Sequence, residues 1–298
     1  MPSQASSALA DLFIRLGDAF PADENSYIER CVYDQIHTAA AECPDVSYDE
    51  TIIADRPCLC VKPAGASQKH VMLFFHGGGY SFGSPMSHRK LTAHLAKACN
   101  VTAISVDYRL APYPAPLDDC VAVYQALIQT LGYAPTNIVL AGDSAGGSLT
   151  AAVCLAAAKK DLPMPGASVA LSPCYDLTHS GETMKTNAEV DVLQSMEFCK
   201  NLAQRYTAGK ASADDPLVSP IFAELKGLPP QWISCGGYDM LLDNGTRFAE
   251  KAKKAGVEVV LEVQEGQQHV MEFMAGKAEE ADGSIQRIGQ WVRQKIGS

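Results

Sequence analysis

A serine between glycines lies at the junction of two apolar segments near the middle of the chain. Ser144 is the centre of Gly142-Asp143-Ser144-Ala145-Gly146, which follows the apolar run 138–141 and precedes a longer apolar stretch, residues 147–155. The first run has the length of a buried strand and the second that of a buried helix. A sharp strand-to-helix turn strains the serine backbone, and neighbours without Cβ atoms leave room for it. The pattern predicts a hydroxyl that projects from the end of a sheet as a nucleophile.

A second glycine-rich segment has the composition of an oxyanion-binding loop. The sequence His76-Gly77-Gly78-Gly79 directly follows the apolar run 71–75. Successive glycines let backbone N–H groups turn toward a ligand, and fixed N–H donors stabilise the charge of a tetrahedral intermediate. We therefore predict an oxyanion hole formed by the amides of Gly77, Gly78 and Ala145.

A serine hydroxyl needs a base, and the position along the chain favours His269. This histidine lies in the loop after the last predicted strand, as the chain order serine, acid, histidine requires. His88, in the segment after the glycines, is the alternative base, and we expect it to face solvent. An imidazole base must be neutral, and its ordinary pKa is about 6.5. The sequence thus predicts that activity falls below about pH 6.

The acid that orients this base should follow the penultimate predicted strand. Asp239 occupies that position, where a buried carboxylate would fix the tautomer of the imidazole. Asp243 is the rival acid, although it also fits the N-cap of the next helix. We interpret Asp143 as a structural hydrogen-bonding group, and Asp107 and Arg109 as a structural pair near the site.

Composition and charge exclude several classes of protein. The chain of 298 residues is 47% hydrophobic and 19% charged, which is typical of a globular domain. A formal net charge of −10 without a Lys/Arg cluster argues against a nucleic-acid partner. No apolar run approaches the ~18 residues of a membrane span, and no secretory signal is visible. The ten cysteines are scattered, which predicts reduced thiols, a cytoplasmic protein and no metal site.

Strands and helices alternate from about residue 70 onward. This alternation predicts a mostly parallel sheet covered by helices on both faces. Two amphipathic helical patterns precede the first strand, and a polar stretch at residues 178–215 interrupts the alternation after the sixth strand. The helix-like patch in that stretch runs from about Val192 to Tyr206.

The combined motifs resemble the hormone-sensitive-lipase-like family of α/β-hydrolase esterases. The resemblance covers roughly residues 45–298, through His76-Gly77-Gly78-Gly79, Asp107-Tyr108-Arg109-Leu110-Ala111-Pro112, Gly142-Asp143-Ser144-Ala145-Gly146-Gly147, Leu171-Ser172-Pro173 with Asp176, Asp215-Pro216-Leu217-Val218-Ser219-Pro220, and Asp239 with Leu241, Asp243 and Gly245. It implies an α/β-hydrolase fold with an eight-stranded, mostly parallel sheet flanked by helices and a helical cap. It also implies hydrolysis of short- to medium-chain carboxylic esters without a cofactor.

The resemblance also implies the origin of the cap. We expect a single α/β-hydrolase domain, residues 1–298, whose cap is formed by residues 1–45 and about 178–215. Phe82 and Leu241 are expected to contact the substrate.

Three features depart from the family pattern. Met240 follows the predicted acid where proline is usual, and Val270-Met271 follows the predicted base where Gly-Phe is usual. The segment after Pro112 is also a few residues shorter than usual. These departures affect the predicted substrate preference more than the predicted chemistry.

The predicted reaction has two steps and leaves two alternative functions open. Ser144, deprotonated by His269, would attack an ester carbonyl, and water would then hydrolyse the acyl-enzyme. An amidase or formamidase would use the same triad, and parallel rates on an ester and its amide analogue decide between them. A non-catalytic small-molecule receptor on this fold would not turn over esters. The expected partner is a small ester, with no nucleic acid and no membrane span, and a homodimer through the last strand or helix is left open.

Overall fold

An eight-stranded sheet forms the centre of the molecule. We describe a computed structural model, in which residues 2–21 and 26–298 are defined. The strands are β1 (Val46–Ile53), β2 (Arg56–Pro63), β3 (Ser67–Phe75), β4 (Val101–Val106), β5 (Ile138–Asp143), β6 (Ala167–Leu171), β7 (Gln231–Gly236) and β8 (Val259–Gln264). Their order is β1-β2-β4-β3-β5-β6-β7-β8, with β2 antiparallel to both neighbours and all other pairs parallel. The predicted eight-stranded, mostly parallel sheet is confirmed.

Helices cover both faces of this sheet. Those in the described part of the chain are α1 (Gln4–Ala19), α2 (Ser26–Tyr33), α3 (Arg89–Cys99), α4 (Ala115–Gln129), α5 (Ala145–Lys159), α6 (Thr183–Thr186), α7 (Met196–Thr207), α8 (Leu242–Lys254) and α9 (Glu279–Ile296). Short 3₁₀ helices occupy Asp34–Thr38, Pro135–Asn137, Pro220–Phe222 and Met271–Met274. No helix within residues 2–21 and 26–298 combines the length and apolarity needed to cross a bilayer.

The alternation of side chains along β3 shows how the two faces are built. Met72 and Phe74 point into the core cluster that includes α1, α3 and α9. Leu73 and Phe75 point into the cluster that includes α4 and α5. All four side chains are fully buried. Since successive side chains of a strand face opposite sides, an unbroken apolar run is what a strand covered on both faces requires.

The loops that carry the predicted chemistry leave the sheet at one edge. The strands β5, β7 and β8 are parallel, so their carboxyl ends meet on the same side. Ser144 follows β5, Asp239 follows β7 and His269 follows β8. In parallel α/β sheets, ligands bind beyond the carboxyl ends of the strands.

Three helix boundaries differ from those expected from the sequence. The helix α8 begins at Leu242 with Leu241 as its N-cap, so Asp243 lies in the first turn and the expected N-cap is wrong. The helix α7 begins at Met196 because Ser195 caps it, accepting a hydrogen bond from the amide of Phe198. The last helix, α9, begins at Glu279, whereas the apolar spacing of Ile285, Ile288, Val292 and Ile296 predicts a helix only after Ser284.

Residues of the expected cap lie beside the carboxyl edge of the sheet. Helix α1 is capped by Ser3 and buries Leu9, Phe13 and Leu16. It packs against the 3₁₀ helix Met271–Met274, which directly follows the loop of the predicted base. Residues 1 and 22–25, which belong to the expected segment 1–45, lie outside the described residues.

Candidate active site

Ser144 occupies a strained turn between β5 and α5. Its φ of 53° and ψ of −118° lie in a region that non-glycine residues rarely adopt. The turn is held because the Ser144 amide donates to the Leu171 carbonyl at 2.8 Å. A Cβ atom on Gly146 would overlap the carbonyl oxygen of Phe75, so this glycine allows the turn to lie directly on β3. The backbone therefore dictates where the serine hydroxyl points.

The predicted base and acid are bonded to each other. His269 Nδ1 lies 2.8 Å from Asp239 Oδ2, and both side chains are buried. The other oxygen of Asp239 accepts the amide of Leu241 at 2.7 Å. The rival acid, Asp243, instead accepts the amide of Thr183 at 3.1 Å. The structure thus brings His269 together with Asp239 and not with Asp243.

Ser144 and His269 line one cavity of about 270 Å³. Asp143, Ala145, Gly78 and Gly79 line it as well. Ser144, His269 and the residues that carry the candidate amide donors therefore border the same cavity. A nucleophile, a base and N–H donors around one cavity are components of a nucleophilic acyl-transfer site.

One of the three predicted oxyanion donors is wrong. The amide of Gly77 donates to Asp143 Oδ1 at 3.1 Å, and Gly77 does not line the cavity. Gly78 and Gly79 do line it, and within the described residues their amides have no hydrogen-bond acceptor. Ala145 is the first residue of α5, where a helix leaves its N–H groups unpaired. The geometry therefore replaces Gly77 with Gly79 as a candidate donor.

Most of the cavity wall is apolar and comes from the two segments expected to form the cap. The wall includes Phe13, Leu16, Phe20, Tyr33, Ile36, Leu193, Phe198, Leu202 and Ala203. Phe82 and Leu241, the predicted substrate contacts, also line the cavity. Val192 does not, and its neighbours Leu193 and Gln194 occupy the wall instead.

Comparisons with known proteins agree with this geometry. The α/β-hydrolase fold family matches residues 72–273. An acetyl-hydrolase of Streptomyces hygroscopicus is 32% identical over 271 residues, which is 90% of each chain. An esterase of Acinetobacter venetianus is 34% identical over 232 residues, covering 77% of this chain and 76% of that protein. The crystal structure of an esterase from the bacterial hormone-sensitive lipase family covers all of both chains with a TM-score of 0.95 and 34% identity.

The chain belongs to the hormone-sensitive-lipase-like family of α/β hydrolases. The resemblance inferred from the motifs is thereby confirmed. It also confirms the fold class, because the strand order and the helices on both faces of the sheet are those of an α/β hydrolase.

The alternative base of the hydrolase, His88, is buried rather than exposed. Its ring is 1% exposed and its Nε2 lies 3.2 Å from Asp143 Oδ2. Its Nδ1 lies 2.8 Å from the hydroxyl of Ser87. The expectation that His88 faces solvent is wrong, because packing against Tyr33 and Phe273 closes the ring off. His88 instead supports Asp143, whose predicted structural role matches its bonds to Gly77 and His88.

The pairing expected between Asp107 and Arg109 is also wrong. The Arg109 guanidinium binds Asp119 with a shortest N–O distance of 2.7 Å. Asp107 lies 3.7 Å from the guanidinium of Arg30 in α2. Arg109 is therefore bonded to α4, whereas Asp107 faces α2 in the N-terminal segment.

Opposing effects act on the pKa of His269 in the hydrolase. Burial alone lowers it, but the carboxylate of Asp239 and, more weakly, those of Asp191 and Asp143 raise it above its usual value of 6.5. The acid limb of activity should therefore lie above pH 6.5. A raised pKa thus moves the expected loss of activity to higher pH than the value of about 6 expected for an unperturbed imidazole.

Within residues 2–21 and 26–298, no group of three or more His, Cys, Asp or Glu side chains is arranged to hold a metal ion. The acidic groups around His269 are occupied by hydrogen bonds from the protein.

Proposed function

We propose that this protein is a carboxylesterase that hydrolyses esters with short to medium acyl chains through an acyl-enzyme on Ser144. One observation carries the proposal: His269, bonded to the buried Asp239, lines the same cavity as the strained Ser144. Membership of the family and the similarity to an acetyl-hydrolase and an esterase support the same reaction.

In the proposed mechanism, each catalytic group has a defined task. His269 takes the proton of Ser144 as the hydroxyl attacks the ester carbonyl, and then gives that proton to the leaving alcohol. Asp239 holds the imidazole through its Nδ1 and stabilises the imidazolium that forms. His269 next activates a water molecule, which releases the acid and restores Ser144.

The amides of Gly78, Gly79 and Ala145 are the proposed oxyanion hole. Gly78 has a φ of 109°, a conformation that turns its peptide in a way side-chain-bearing residues avoid. Fixed N–H donors in an enclosed cavity stabilise the oxyanion without rearrangement, and each is typically worth about 2.7–4 kcal/mol of transition-state energy.

The apolar wall indicates the substrate class. Residues 1–45 and 178–215 are proposed to form a cap that excludes water from the acyl group, within a single domain. Phe82 is almost fully buried, stacks with Tyr33 and meets Phe20 edge to face beside the cavity, so it limits the length of chain that can enter. Leu241, two residues after the acid, also lines the cavity.

We also propose a reducing, cytoplasmic location. All ten cysteines are free, and only Cys31 is exposed. Burial raises the pKa of Cys154 to about 12, which keeps that thiol protonated and unreactive. The net charge of −10 leaves us expecting no nucleic-acid partner, and a homodimer remains a prediction.

The test is hydrolysis of p-nitrophenyl esters of rising acyl length, from acetate to dodecanoate, by the wild type and by Ser144→Ala. We expect the highest kcat/KM on short to medium chains. Ser144→Ala should lower kcat by a factor on the order of 10⁵ or more at an unchanged Tm. The matched control is Ser212→Ala, at an exposed position outside the cavity, which should behave as the wild type. Turnover that survives in Ser144→Ala, or faster hydrolysis of the matching amides, would overturn the proposal.

A further inference from the structure

The loop between α6 and α7 is bonded to the loop that carries the acid. We call residues 187–194 the clamp segment. Asn187 Nδ2 donates to the carbonyl oxygens of Gly237 at 3.0 Å and of Asp239 at 2.9 Å. The backbone on both sides of the acid is thereby tied to a segment that lies about fifty residues earlier in the chain.

The same segment is bonded to the loop that carries the base. Gln268, directly before His269, is 9% exposed. Its side-chain amide donates to the carbonyl of Val190 at 2.8 Å and accepts the amide of Val192 at 3.2 Å. The clamp segment therefore joins the two catalytic loops, which leave different strands of the sheet.

A second buried carboxylate, Asp191, organises the clamp segment. It is 6% exposed, and its Oδ1 accepts the amides of Leu193 and Gln194 at 2.9 Å each. Its Oδ2 accepts the amide of Met240 at 2.8 Å. Proline, which has no N–H, is usual at position 240 in the family, so this departure of the chain supplies the donor. Asp191 is thus bonded to the residue next to the triad acid and to the backbone of Gln194.

Gln194 reaches the triad acid itself. Its Nε2 donates to Asp239 Oδ1 at 3.0 Å and lies 3.4 Å from Asp191 Oδ2. Its Oε1 accepts the thiol of Cys199 in α7 at 3.3 Å. The reverse orientation of the amide would put Oε1 against two carboxylates, so only this orientation satisfies every group.

These contacts fix the rotation of the Asp239 carboxylate. Oδ2 faces His269, while Oδ1 is held by the amide of Leu241 and by Gln194. The Leu241 donor belongs to the acid loop, whereas the Gln194 donor comes from the insertion and from the cavity wall. A side chain that lines the cavity therefore also helps to limit how the acid can turn.

We propose that Gln194, held by Asp191, is a positioning residue for the triad acid. Asp239 then holds the base in place only while the clamp segment is bonded to the loop of the acid. This proposal rests on the proposed function. It gives the insertion a role in catalysis that is separate from covering the substrate. Leu193 and Gln194 of the clamp segment line the cavity, and the same segment aligns Asp239.

The negative charge of Asp191 provides an independent readout. Burial lowers the pKa of His269, and the carboxylates of Asp239, Asp191 and Asp143 oppose it. Removing the charge at position 191 should lower the pKa of the base, and the acid limb of kcat/KM should move to lower pH.

The test compares Gln194→Met, which keeps the length of the side chain but has no donor, with Gln204→Met. Gln204 lies exposed in α7 and outside the cavity, so this control makes the same chemical change in the neighbouring helix. We expect Gln194→Met to lower kcat on p-nitrophenyl butyrate about tenfold, the lower end of what the loss of one hydrogen bond to a charged group costs. KM should change less than about twofold, since the loss is in the transition state. The control should match the wild type.

Two further variants separate positioning from packing. Gln194→Glu keeps the shape of the side chain but directs a carboxylate at Asp239, so kcat should fall further than in Gln194→Met. Asp191→Asn should lower kcat and move the acid limb downward, and its effect should not add to that of Gln194→Met because both act on one network. In the proton NMR spectrum, the low-field Nδ1–H signal of His269 should shift or broaden in each variant.

The outcomes distinguish this proposal from the proposed function. If the wild type hydrolyses no ester and its Ser144 does not react with a fluorophosphonate, the proposed function fails. If the wild type is active and folded Gln194→Met keeps its kcat, pH profile and low-field proton, only the positioning role fails. If Gln194→Met does not fold, the same comparison between Gln194→Glu and the wild type decides.

Discussion

The two halves of the active site are held in place by different means. Around Ser144, backbone atoms meet backbone atoms: the turn after β5 lies against the end of β3, with room only for a glycine at position 146. Around Asp239, the backbone of the acid loop is also closely packed, but side chains add contacts, since Gln194 and Asn187 reach this loop from another part of the chain. Hydrogen bonds from distant side chains therefore distinguish the acid half from the serine half.

This difference predicts two kinds of response to substitution. Close packing of backbone cannot relax without moving a strand, so a change there should affect folding as a whole. A hydrogen-bond network can lose one member and keep its fold, so a change there should lower the rate while the protein stays folded. The predictions below test that division, from the largest expected effect to the smallest.

Gly146→Ala should produce the largest effect. The added methyl would overlap the carbonyl oxygen of Phe75 in β3, and backbone on both sides prevents adjustment. We expect a loss of at least about 3 kcal/mol of unfolding free energy, the upper end of the usual cost of overpacking, measured by urea denaturation. The control is Gly17→Ala in α1, where a Cβ meets nothing within 4 Å and helix propensity favours alanine by up to about 1 kcal/mol. A stable, active Gly146→Ala would remove the steric account of the serine half.

Asp239→Asn should lower the rate while the fold survives. The amide is isosteric with the carboxylate, but it cannot stabilise the imidazolium and favours the wrong tautomer of His269. We expect kcat to fall by about 10³–10⁴-fold with Tm within a few degrees of the wild type. Asp243→Asn is the matched control, because this aspartate lies four residues away in the first turn of α8 and contacts Thr183 instead of the base. Equal losses in the two variants would contradict the assignment of the acid.

Asp143→Asn tests the exception within the serine half, because this side chain supports a loop made of glycines. Asp143 accepts the amide of Gly77 at 3.1 Å and faces His88 Nε2 at 3.2 Å. The asparagine oxygen can still accept one of these bonds, so we expect the glycine loop to loosen rather than collapse. The rate should fall about tenfold, less than the 10²–10³ typical of losing an oxyanion donor outright. The measurement is kcat on p-nitrophenyl butyrate. Ser87→Ala, which removes the hydroxyl bonded to His88 Nδ1, is the comparison variant. An unchanged kcat in Asp143→Asn would show that the glycine loop does not need this side chain.

The sequence predicts the catalytic residues of both halves better than the tertiary contacts that hold them. Local rules such as strand length, glycine position and chain order suffice to place Ser144, Asp239 and His269 at one edge of the sheet. Among the glycines, the predicted oxyanion donors are wrong by one residue. Asp143 accepts the amide of Gly77 through a tertiary contact, so Gly79 replaces Gly77 as a candidate donor.

Contacts between distant segments leave no such local signal. Nothing in the spacing indicates that Gln194 would reach Asp239 across 45 residues, or that His88 would be buried against Tyr33. The sequence offers one hint of this network, which is Met240 in place of the family's usual proline. Unlike proline, Met240 has an N–H group, and this group donates to the second carboxylate, Asp191.

The smallest expected effect is a displacement of the pH profile, and it measures the acid half directly. His269 must be neutral to accept the serine proton, and Asp239, Asp191 and Asp143 together raise its pKa against the opposing effect of burial. A raised pKa keeps the imidazole protonated to higher pH, so the acid limb of kcat/KM should have its midpoint above 6.5 and activity should be lost as pH falls through it. Asp191→Asn should lower that midpoint, whereas Glu197→Gln, an exposed charge change in α7, should leave it in place. A wild-type midpoint at or below 6.5 would mean that the three carboxylates do not outweigh burial, and that Asp239 holds the base by orientation alone.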